Sequence, residues 1–272
     1  MNMSQSIAPP ADNIDARLPR RVRHETKRRR LEVIGIDNIS KQMTRVSLGG
    51  QDLDGFTSLG FDDHVKLFFP QNDSDEVRPD VQLAPVGRDY TPRRYDAKTN
   101  TLVIDFALHE AGGPATRWAE QVQTGQHLEI GGPRGSFIIP EAYDWYLMMG
   151  DETALPAIGR RLEELPAGTR ALVIAEVDGV ADEISFETAV DISITWAHRN
   201  GAKPGSSDIL SRTLTKLRLP DGDYHAWVAC ESLIAKALRA QLIVENGANP
   251  KWMRAAGYWR RGSIATHDTF ND

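Results

Sequence analysis

Three segments of the sequence combine residue types that can hold a flat, negatively charged ligand. The first is Arg88-Asp-Tyr-Thr91, which brings a cation, an aromatic ring and a hydroxyl together at the end of a β-like run. A guanidinium suits a pyrophosphate, the aromatic face suits a planar ring and the hydroxyl suits a ring nitrogen. Because a motif this short recurs by chance, its meaning depends on the segments that follow it.

The second segment, His109-Glu-Ala-Gly-Gly-Pro-Ala-Thr-Arg-Trp-Ala119, is rich in small residues. Gly112 and Gly113 allow the backbone to approach a ligand closely, and Thr116 lies near the start of a short predicted helix. The free N–H groups at a helix start bind anions, although the same pattern also fits a helix cap with a turn. This segment therefore extends the anion site that the first one suggests.

The third segment, Met149-Gly-Asp-Glu-Thr-Ala-Leu-Pro156, ends an apolar strand and opens a helix. Gly150, Asp151 and Thr153 occupy the position at which an α/β domain docks a dinucleotide. A Gly-x-Gly-x-x-Gly motif is missing from the sequence, however, so a standard Rossmann dehydrogenase is not favoured.

Motifs for nucleophilic and metal-dependent catalysis are also missing. The sequence has no Gly-x-Ser-x-Gly, His-Glu-x-x-His or Walker A motif, and its single cysteine, Cys230, can form neither an internal disulfide nor a Cys-based zinc site. The histidines lack ligand spacing, and we interpret His64 and His109 as polar strand residues. We predict no metal site and no side chain that carries the chemistry itself.

Two different patterns divide the chain. Short β-like runs over residues 31–140, broken by Gly, Pro, Asn and Asp, predict a closed or partly closed β-barrel with one short helix near 115–122. After Pro140 strands and helices alternate, which predicts a parallel sheet covered on both faces, with any ligand at the carboxyl ends of its strands. We expect a flexible tail over 1–16, a β-barrel domain over 17–142 and an α/β domain with a C-terminal tail over 143–272.

Composition and charge exclude several classes of protein. Of 272 residues, 40% are hydrophobic and 26% charged, as in ordinary globular proteins, and no apolar run suits a membrane span or a leader peptide. Residues 1–30 hold eight basic and three acidic residues, although the whole chain carries a net charge of -6. This basic arm lacks aromatic residues that stack on bases, so we interpret it as a solvated lead-in to the first strand. We expect a cytoplasmic monomer without nucleic-acid binding or membrane insertion.

The three segments, together with four others in the same order, resemble the siderophore-interacting protein family, and within it the NADPH-dependent ferric-chelate reductases. The four others are Asp63-His-Val-Lys-Leu-Phe-Phe-Pro70, Asp105-Phe106 with His109, Gly132-Pro-Arg-Gly-Ser136 and Tyr258-Trp-Arg-Arg-Gly262. The resemblance covers about residues 20–262. Thr116 stands where the family usually has Ser, which keeps the hydroxyl, and Cys230 precedes Glu231 where Gly or Ala is commoner.

The resemblance implies an N-terminal Greek-key β-barrel that binds FAD and a C-terminal, ferredoxin-reductase-like α/β domain that binds NADPH. It implies that Arg88 contacts the FAD pyrophosphate, that Tyr90 lies against the isoalloxazine and that Thr91 lies near its N5. The other FAD contacts that it implies are Asp89, Asp105, Phe106, His109, Gly113, Pro114, Ala115 and Thr116.

For NADPH, the resemblance implies contacts with Asp151, Thr153 and the end of the third α/β strand. Arg199, at that strand end, either pairs with a 2′-phosphate or is an exposed surface arginine. Trp259, beside Tyr258, either covers the flavin or packs against the protein.

The implied activity is reduction of a ferric siderophore by NADPH. NADPH gives two electrons as a hydride whereas Fe(III) accepts one, so a flavin must convert between them. An anionic chelate such as a ferric catecholate needs a basic landing site, for which the candidates are Lys66, Arg134 and Arg254, with Arg260 or Arg261 in reserve. These cations could instead be solvated surface residues.

The alternative functions are a reductase for a small redox protein such as ferredoxin or flavodoxin, a non-catalytic siderophore carrier, and an RNA-associated protein that uses the basic arm.

Overall fold

A computed structural model of the protein describes residues 16–70, 84–109, 112–263 and 268–270. The tail predicted over 1–16 lies outside these ranges except at its last residue. In the described ranges, no helix combines the length and the apolar character that a membrane crossing requires.

The first domain is a curled antiparallel sheet. Its elements are β1 (Arg20–Arg23), β2 (Arg28–Ser40), β3 (Met43–Gly49), β4 (Val65–Phe69), β5 (Val86–Tyr90), β6 (Arg94–Asp96), β7 (Thr101–Ala107), α1 (Pro114–Gln121), β8 (His127–Gly131) and β9 (Gly135–Ile138). Seven of these strands pair in the order β5-β4-β8-β2-β3-β7-β6, and β1 pairs with β9. Because β5 and β6 are edges of this hydrogen-bonded order, the sheet is a half-barrel and the option of a closed barrel is wrong.

Alternating apolar residues explain why these segments form strands around one core. In β7, Leu102, Ile104 and Phe106 point to the inside and are completely buried. Asp105, which the alternation places on the opposite, solvated face, is only 3% exposed. It is buried because Arg45 donates two hydrogen bonds to its carboxylate, at 2.7 and 2.8 Å, and Arg93 lies 3.7 Å away.

The basic arm is more ordered than a solvated lead-in. Its β1 runs antiparallel to β9, with Arg20 opposite Ile138 and Arg23 opposite Gly135, and its last three residues already belong to β2. A Cβ on Gly135 would lie 2.5 Å from the carbonyl oxygen of Val22, so the close pairing of these strands depends on a glycine there. These residues are mostly exposed, as a solvated lead-in would be, but the two stretches belong to strands and do not merely precede them.

The second domain is a mostly parallel sheet. Its elements are β10 (Trp145–Gly150), α2 (Leu155–Glu164), β11 (Arg170–Val177), β12 (Asp191–His198), α3 (Ile209–Lys216), β13 (Tyr224–Glu231), α4 (Ser232–Asn246), β14 (Met253–Trp259) and β15 (Asp268–Phe270). The strand order is β12-β11-β10-β13-β14-β15, and only the β14–β15 pair is antiparallel. After β10 the chain adds β11 and β12 on one side of it, and then β13 and β14 on the other side. This change of direction opens a crevice at the carboxyl end of β10.

Burial of both faces accounts for the apolar sequences of the central strands. Every residue of β10 and β13 is buried, and two separate clusters of apolar side chains cover the two sides of the sheet. Gly150, the last residue of β10, permits this packing because a Cβ there would lie 2.3 Å from the carbonyl oxygen of Ala229. The predicted combination of an antiparallel barrel-like domain with a parallel α/β domain is confirmed.

Helix α2 joins the two domains through buried polar contacts. Arg160 donates to the carbonyl oxygens of Ser58 (2.9 Å) and Pro92 (3.0 Å) and to the Ser58 hydroxyl, at 2.8 Å. The carboxylate of Glu163, one helical turn from Arg160, forms ion pairs with two arginines of the half-barrel. These are Arg93 and Arg94, and the distance to Arg94 is 2.9 Å. These contacts fix the half-barrel against the first helix of the α/β domain.

Replacing Arg160 by methionine is expected to lower the free energy of unfolding by about 3 kcal/mol, since the buried carbonyls of Ser58 and Pro92 lose their donor. Urea denaturation measures the change. The matched control is Arg212→Met, which removes an exposed arginine that pairs with Asp208 four residues earlier and should cost about 0.5 kcal/mol or less. Equal losses in the two variants would show that Arg160 does not hold the domains together.

Candidate functional site

A pocket of about 280 Å³ lies where the half-barrel meets the carboxyl end of β10. Six parts of the chain contribute to its wall: the segment before β4, β5, the end of β7, the start of α1, the segment after β10, and the end of β14 with the residues that follow it. The predicted cofactor residues that line it are Arg88, Asp89, Tyr90, Thr91, Asp105, His109, Gly113, Ala115, Thr116, Thr153 and Trp259. Phe106, Pro114, Asp151 and Arg199 do not line it, and neither do Lys66, Arg134 and Arg254.

The end of β5 places the aromatic ring of Tyr90 in the pocket wall, where other aromatic rings pack against it. The ring of Tyr90 packs against Phe106 with a centroid distance of 4.6 Å and against Phe69 at 6.2 Å. Burial raises the pKa of the Tyr90 hydroxyl far above its usual value. Thr91 is buried and shares a hydrogen bond with Tyr258, which also lines the pocket. Phe106 therefore supports the pocket wall without lining it.

The start of α1 provides a backbone surface for an anion. Gly113 is the residue before the helix, Pro114 follows it, and no side chain caps the first N–H groups. A Cβ on Gly113 would meet no atom within 4 Å, whereas one on Gly112 would lie 2.4 Å from the side chain of Thr116. Gly112 is thus needed for packing, and Gly113 leaves open space at the pocket wall. These features, with Arg88 opposite, fit a pyrophosphate joined to a planar ring.

Asp151 lies just after β10 and connects to the C-terminal segment. Its carboxylate accepts hydrogen bonds from the backbone N–H of Thr153, at 3.0 Å, and from the indole of Trp259, at 2.8 Å. Burial, and next the charge of Glu152, raise its pKa to about 6, although these two hydrogen bonds and a third, from the Thr153 hydroxyl, act in the opposite direction. The indole of Trp259 therefore both packs on the protein and borders the pocket.

Arg199 lies at the end of β12, in a group of carboxylates. It is only 6% exposed, and its guanidinium donates to both oxygens of Glu152, at 2.8 and 2.9 Å. Glu176, on β11, lies 3.6 Å from the same guanidinium. The interpretation of Arg199 as an exposed surface residue is therefore wrong, and its contact with a 2′-phosphate stays a prediction.

Sequence analysis missed Glu152 and Glu176, which complete this buried group. An available signal was the single acid in the otherwise apolar run Ala171-Leu-Val-Ile-Ala-Glu-Val177, because a carboxylate in a fully buried strand requires a partner. Burial, followed by the nearby charge of Asp151, raises the pKa of Glu176 to about 7, while Arg199 opposes the shift. The imidazole of His109 lies 3.9 Å from Glu152, and burial lowers its pKa.

The raised pKa of Glu176 predicts a stability that falls as pH rises. The folded protein keeps a proton on this carboxyl after the unfolded chain has lost it, so the contribution present at low pH is lost progressively between about pH 4.5, the usual pKa of a glutamate, and about pH 7. Glu176→Gln is therefore expected to be more stable than the natural protein by about 3 kcal/mol at about pH 8.5, with little difference at about pH 4.5. Urea denaturation at the two pH values checks this. The exposed Glu120→Gln serves as the control, and a Glu176→Gln gain that is equal at both pH values would contradict the assignment.

None of the three predicted substrate cations lines the pocket, but two of them pair with acids that do. Lys66 forms a 2.8 Å ion pair with Asp89, and Arg254 pairs with Asp62; both of these acids line the pocket. Arg134 is exposed and follows the cis Gly132–Pro133 bond that connects β8 to β9. Arg260, one of the two reserve candidates, lines the pocket directly, whereas Arg261 is exposed nearby.

Comparison with known proteins places the chain in a family. The siderophore-interacting protein model matches residues 143–262, and the siderophore-interacting FAD-binding domain model matches residues 32–137. The NADPH-dependent ferric-chelate reductase of Escherichia coli (strain K12) is 38% identical over 260 residues, which are 91% of this chain and 98% of that protein. Ferric vibriobactin reductase ViuB of Vibrio cholerae is 34% identical, covering 86% and 90% of the two chains.

Among solved structures, a siderophore utilization protein from T. fusca is similar with a TM-score of 0.83 and 39% identity, covering 91% of this chain and 98% of that one. The two family models together span most of the described residues, on both sides of the pocket. The resemblance inferred from the seven segments is therefore confirmed, and the chain belongs to the siderophore-interacting protein family.

Proposed function

We propose that this protein is an FAD-dependent reductase that uses NADPH to reduce a ferric siderophore and releases the iron as Fe(II). The observation that carries the proposal is that β5 and α1 of the half-barrel and the carboxyl end of β10 line the same pocket. The names of the relatives support it, since the E. coli protein is named an NADPH-dependent ferric-chelate reductase and the V. cholerae protein a ferric vibriobactin reductase.

In this proposal, residues 17–142 bind FAD and residues 143–272 bind NADPH. Bound FAD supplies the conversion of one two-electron hydride from NADPH into two single electrons, so that one NADPH reduces two Fe(III). Arg88 and the free N–H groups beside Gly113 bind the pyrophosphate, and Tyr90 provides the face for the isoalloxazine. Thr91, linked to Tyr258, lies near the ring nitrogen.

Asp151 and Thr153 form the NADPH side of the site in this assignment. The hydrogen bond from Trp259 to Asp151 holds the indole at the edge of the pocket, next to the place where the nicotinamide would enter. NADPH and two Fe(III) give NADP⁺, two Fe(II) and one proton; we assign this proton to solvent and no side chain as a general acid or base.

The substrate in this proposal is an anionic ferric chelate such as a catecholate, which binds beside Lys66, Arg134 and Arg254. Lys66 and Arg254 are each paired with an acid, so Arg134 contributes the most unbalanced positive charge of the three. Reduction weakens the binding of iron by hard oxygen ligands because Fe(II) has the lower charge, and this releases the metal. The protein works as a monomer in the cytoplasm, where NADPH is available.

An anaerobic titration tests the proposed function. The protein is mixed with NADPH, a ferric catecholate and a ferrous trap, and its visible spectrum is followed. Flavin bands that bleach and recover while trapped Fe(II) appears are the expected result. Bleaching without Fe(II) would favour a reductase for a small redox protein, and a colourless protein would favour a non-catalytic siderophore carrier.

Replacing Arg134 or Lys66 by alanine is expected to raise the KM for the anionic ferric chelate about 3- to 10-fold, because each removes an attraction of about 1 kcal/mol. NADPH oxidation by a neutral dye should be unchanged. Steady-state kinetics with the two acceptors measures this difference, and Lys203→Ala, an exposed lysine on the α/β domain, is the control. Equal losses with chelate and dye would contradict the basic landing site.

A further inference from the structure

A second pocket, of about 450 Å³, lies in the half-barrel between the β1–β2 connection and the turn after β8. Its wall includes four residues that are basic or can become so, Arg23, His24, Lys27 and Arg29, together with Glu25 and Asp54. None of its lining residues lines the FAD pocket.

Arg29 is a buried cation for which the described residues supply no carboxylate partner. It is only 5% exposed, and its guanidinium donates two long hydrogen bonds, both 3.3 Å, to the carbonyl oxygens of Lys27 and Gly132. Its Nε has no acceptor among the described residues, and the ring of Phe56 lies 5.2 Å away. By contrast, the buried Arg199 has a carboxylate within 2.8 Å.

Burying an unpaired charge is unfavourable, and the lowered pKa of Arg29 reflects this burial. A counter-ion that enters the pocket would offset the cost. The two acids in the wall do not take this role: Asp54 accepts a hydrogen bond from Asn100 at 3.0 Å, and Glu25 is exposed. The three cations Arg23, Lys27 and Arg29 outnumber these two acids, so the wall carries a net positive charge.

We propose that this pocket binds a small oxyanion of the phosphate class, with Arg29 as the buried contact and Arg23 and Lys27 at the rim. The site is independent of the proposed reductase function. Because the pocket wall includes Gly132 and Pro133, a bound anion would also fix the turn that leads to Arg134.

Inorganic phosphate is the probe for this site. The protein is first saturated with FAD and NADP⁺ so that the first pocket cannot take up phosphate. Phosphate is then titrated against chloride at constant ionic strength, with thermal unfolding and calorimetry as readouts. A saturable rise in Tm with a measurable Kd is expected, and the absence of any phosphate-specific effect would overturn the proposal.

Variants locate the binding. Arg29→Met is expected to abolish phosphate binding. Since this buried substitution could impair folding, the rim variant Arg23→Gln/Lys27→Gln provides an independent test and is expected to raise the Kd at least fivefold. Lys203→Gln, an exposed lysine far along the chain, should leave the Kd unchanged. A Kd that is the same in the rim variant as in the natural protein would place phosphate elsewhere and overturn the proposal.

Discussion

Gly113→Val is expected to abolish stable FAD binding while the protein remains folded. The φ of Gly113 is -71°, in a region that valine adopts readily, and a Cβ there meets no protein atom within 4 Å. The added side chain would instead fill the space at the uncapped start of α1, where we place the FAD pyrophosphate. We expect the Kd for FAD to rise about 100-fold or more, equivalent to about 2.7 kcal/mol.

The flavin absorbance of the purified variant and a fluorescence titration with FAD measure this loss, and thermal unfolding of the FAD-free protein measures the fold. Gly112→Val is the matched control, since its side chain would collide with Thr116 and should reduce both stability and FAD binding. If Gly113→Val retained a full complement of FAD, the pyrophosphate would lie elsewhere.

Arg199→Met is expected to destabilise the protein by about 3 to 5 kcal/mol at about pH 8, because it leaves buried carboxylates without their cation. Glu152 would lose both of its guanidinium hydrogen bonds, and Glu176 would lose its nearest positive charge. Glu176, whose pKa burial already raises, takes up a proton more readily when the cation is gone. Part of the lost stability should therefore return at about pH 6, since protonation removes the uncompensated charges.

Urea denaturation at the two pH values measures the effect. Arg199→Lys keeps a charge but cannot donate to both oxygens of Glu152 in the same way, so we expect an intermediate loss. A loss for Arg199→Met that is identical at both pH values would show that packing, and not charge compensation, is what Arg199 provides.

Much of the fold could be predicted because local patterns agree with it. The apolar alternation of β7 predicts a half-buried strand, and α4 ends where Asn246-Gly247 predicts, with Gly247 in a left-handed conformation at φ 66°. Strand β1, Arg-Arg-Val-Arg, carries no such pattern. It forms because β9, more than 100 residues away, supplies its hydrogen-bond partners, and no local rule contains that information.

The same limit applies to the site. From their segments, Arg88 and Thr116 could be assigned to an FAD site and Thr153 to an NADPH site, and the structure brings all three to one pocket. The pairing of Arg199 with Glu152 could not be predicted, since the two residues are 47 positions apart and meet only when β10 and β12 occupy one sheet. A buried ion pair depends on three-dimensional neighbours, whereas a ligand-binding turn is encoded by consecutive residues.

The short antiparallel strand β15 has a consequence for aggregation. It pairs along Ala255–Gly257 and so covers the outer side of β14, whose N–H and C=O groups would otherwise form an open sheet edge. Open edges recruit strands from other molecules, and this one would expose a run of small residues that offers little steric resistance. The three residues of β15 thus protect the protein against edge-to-edge self-association. Deleting them should increase its aggregation at high concentration.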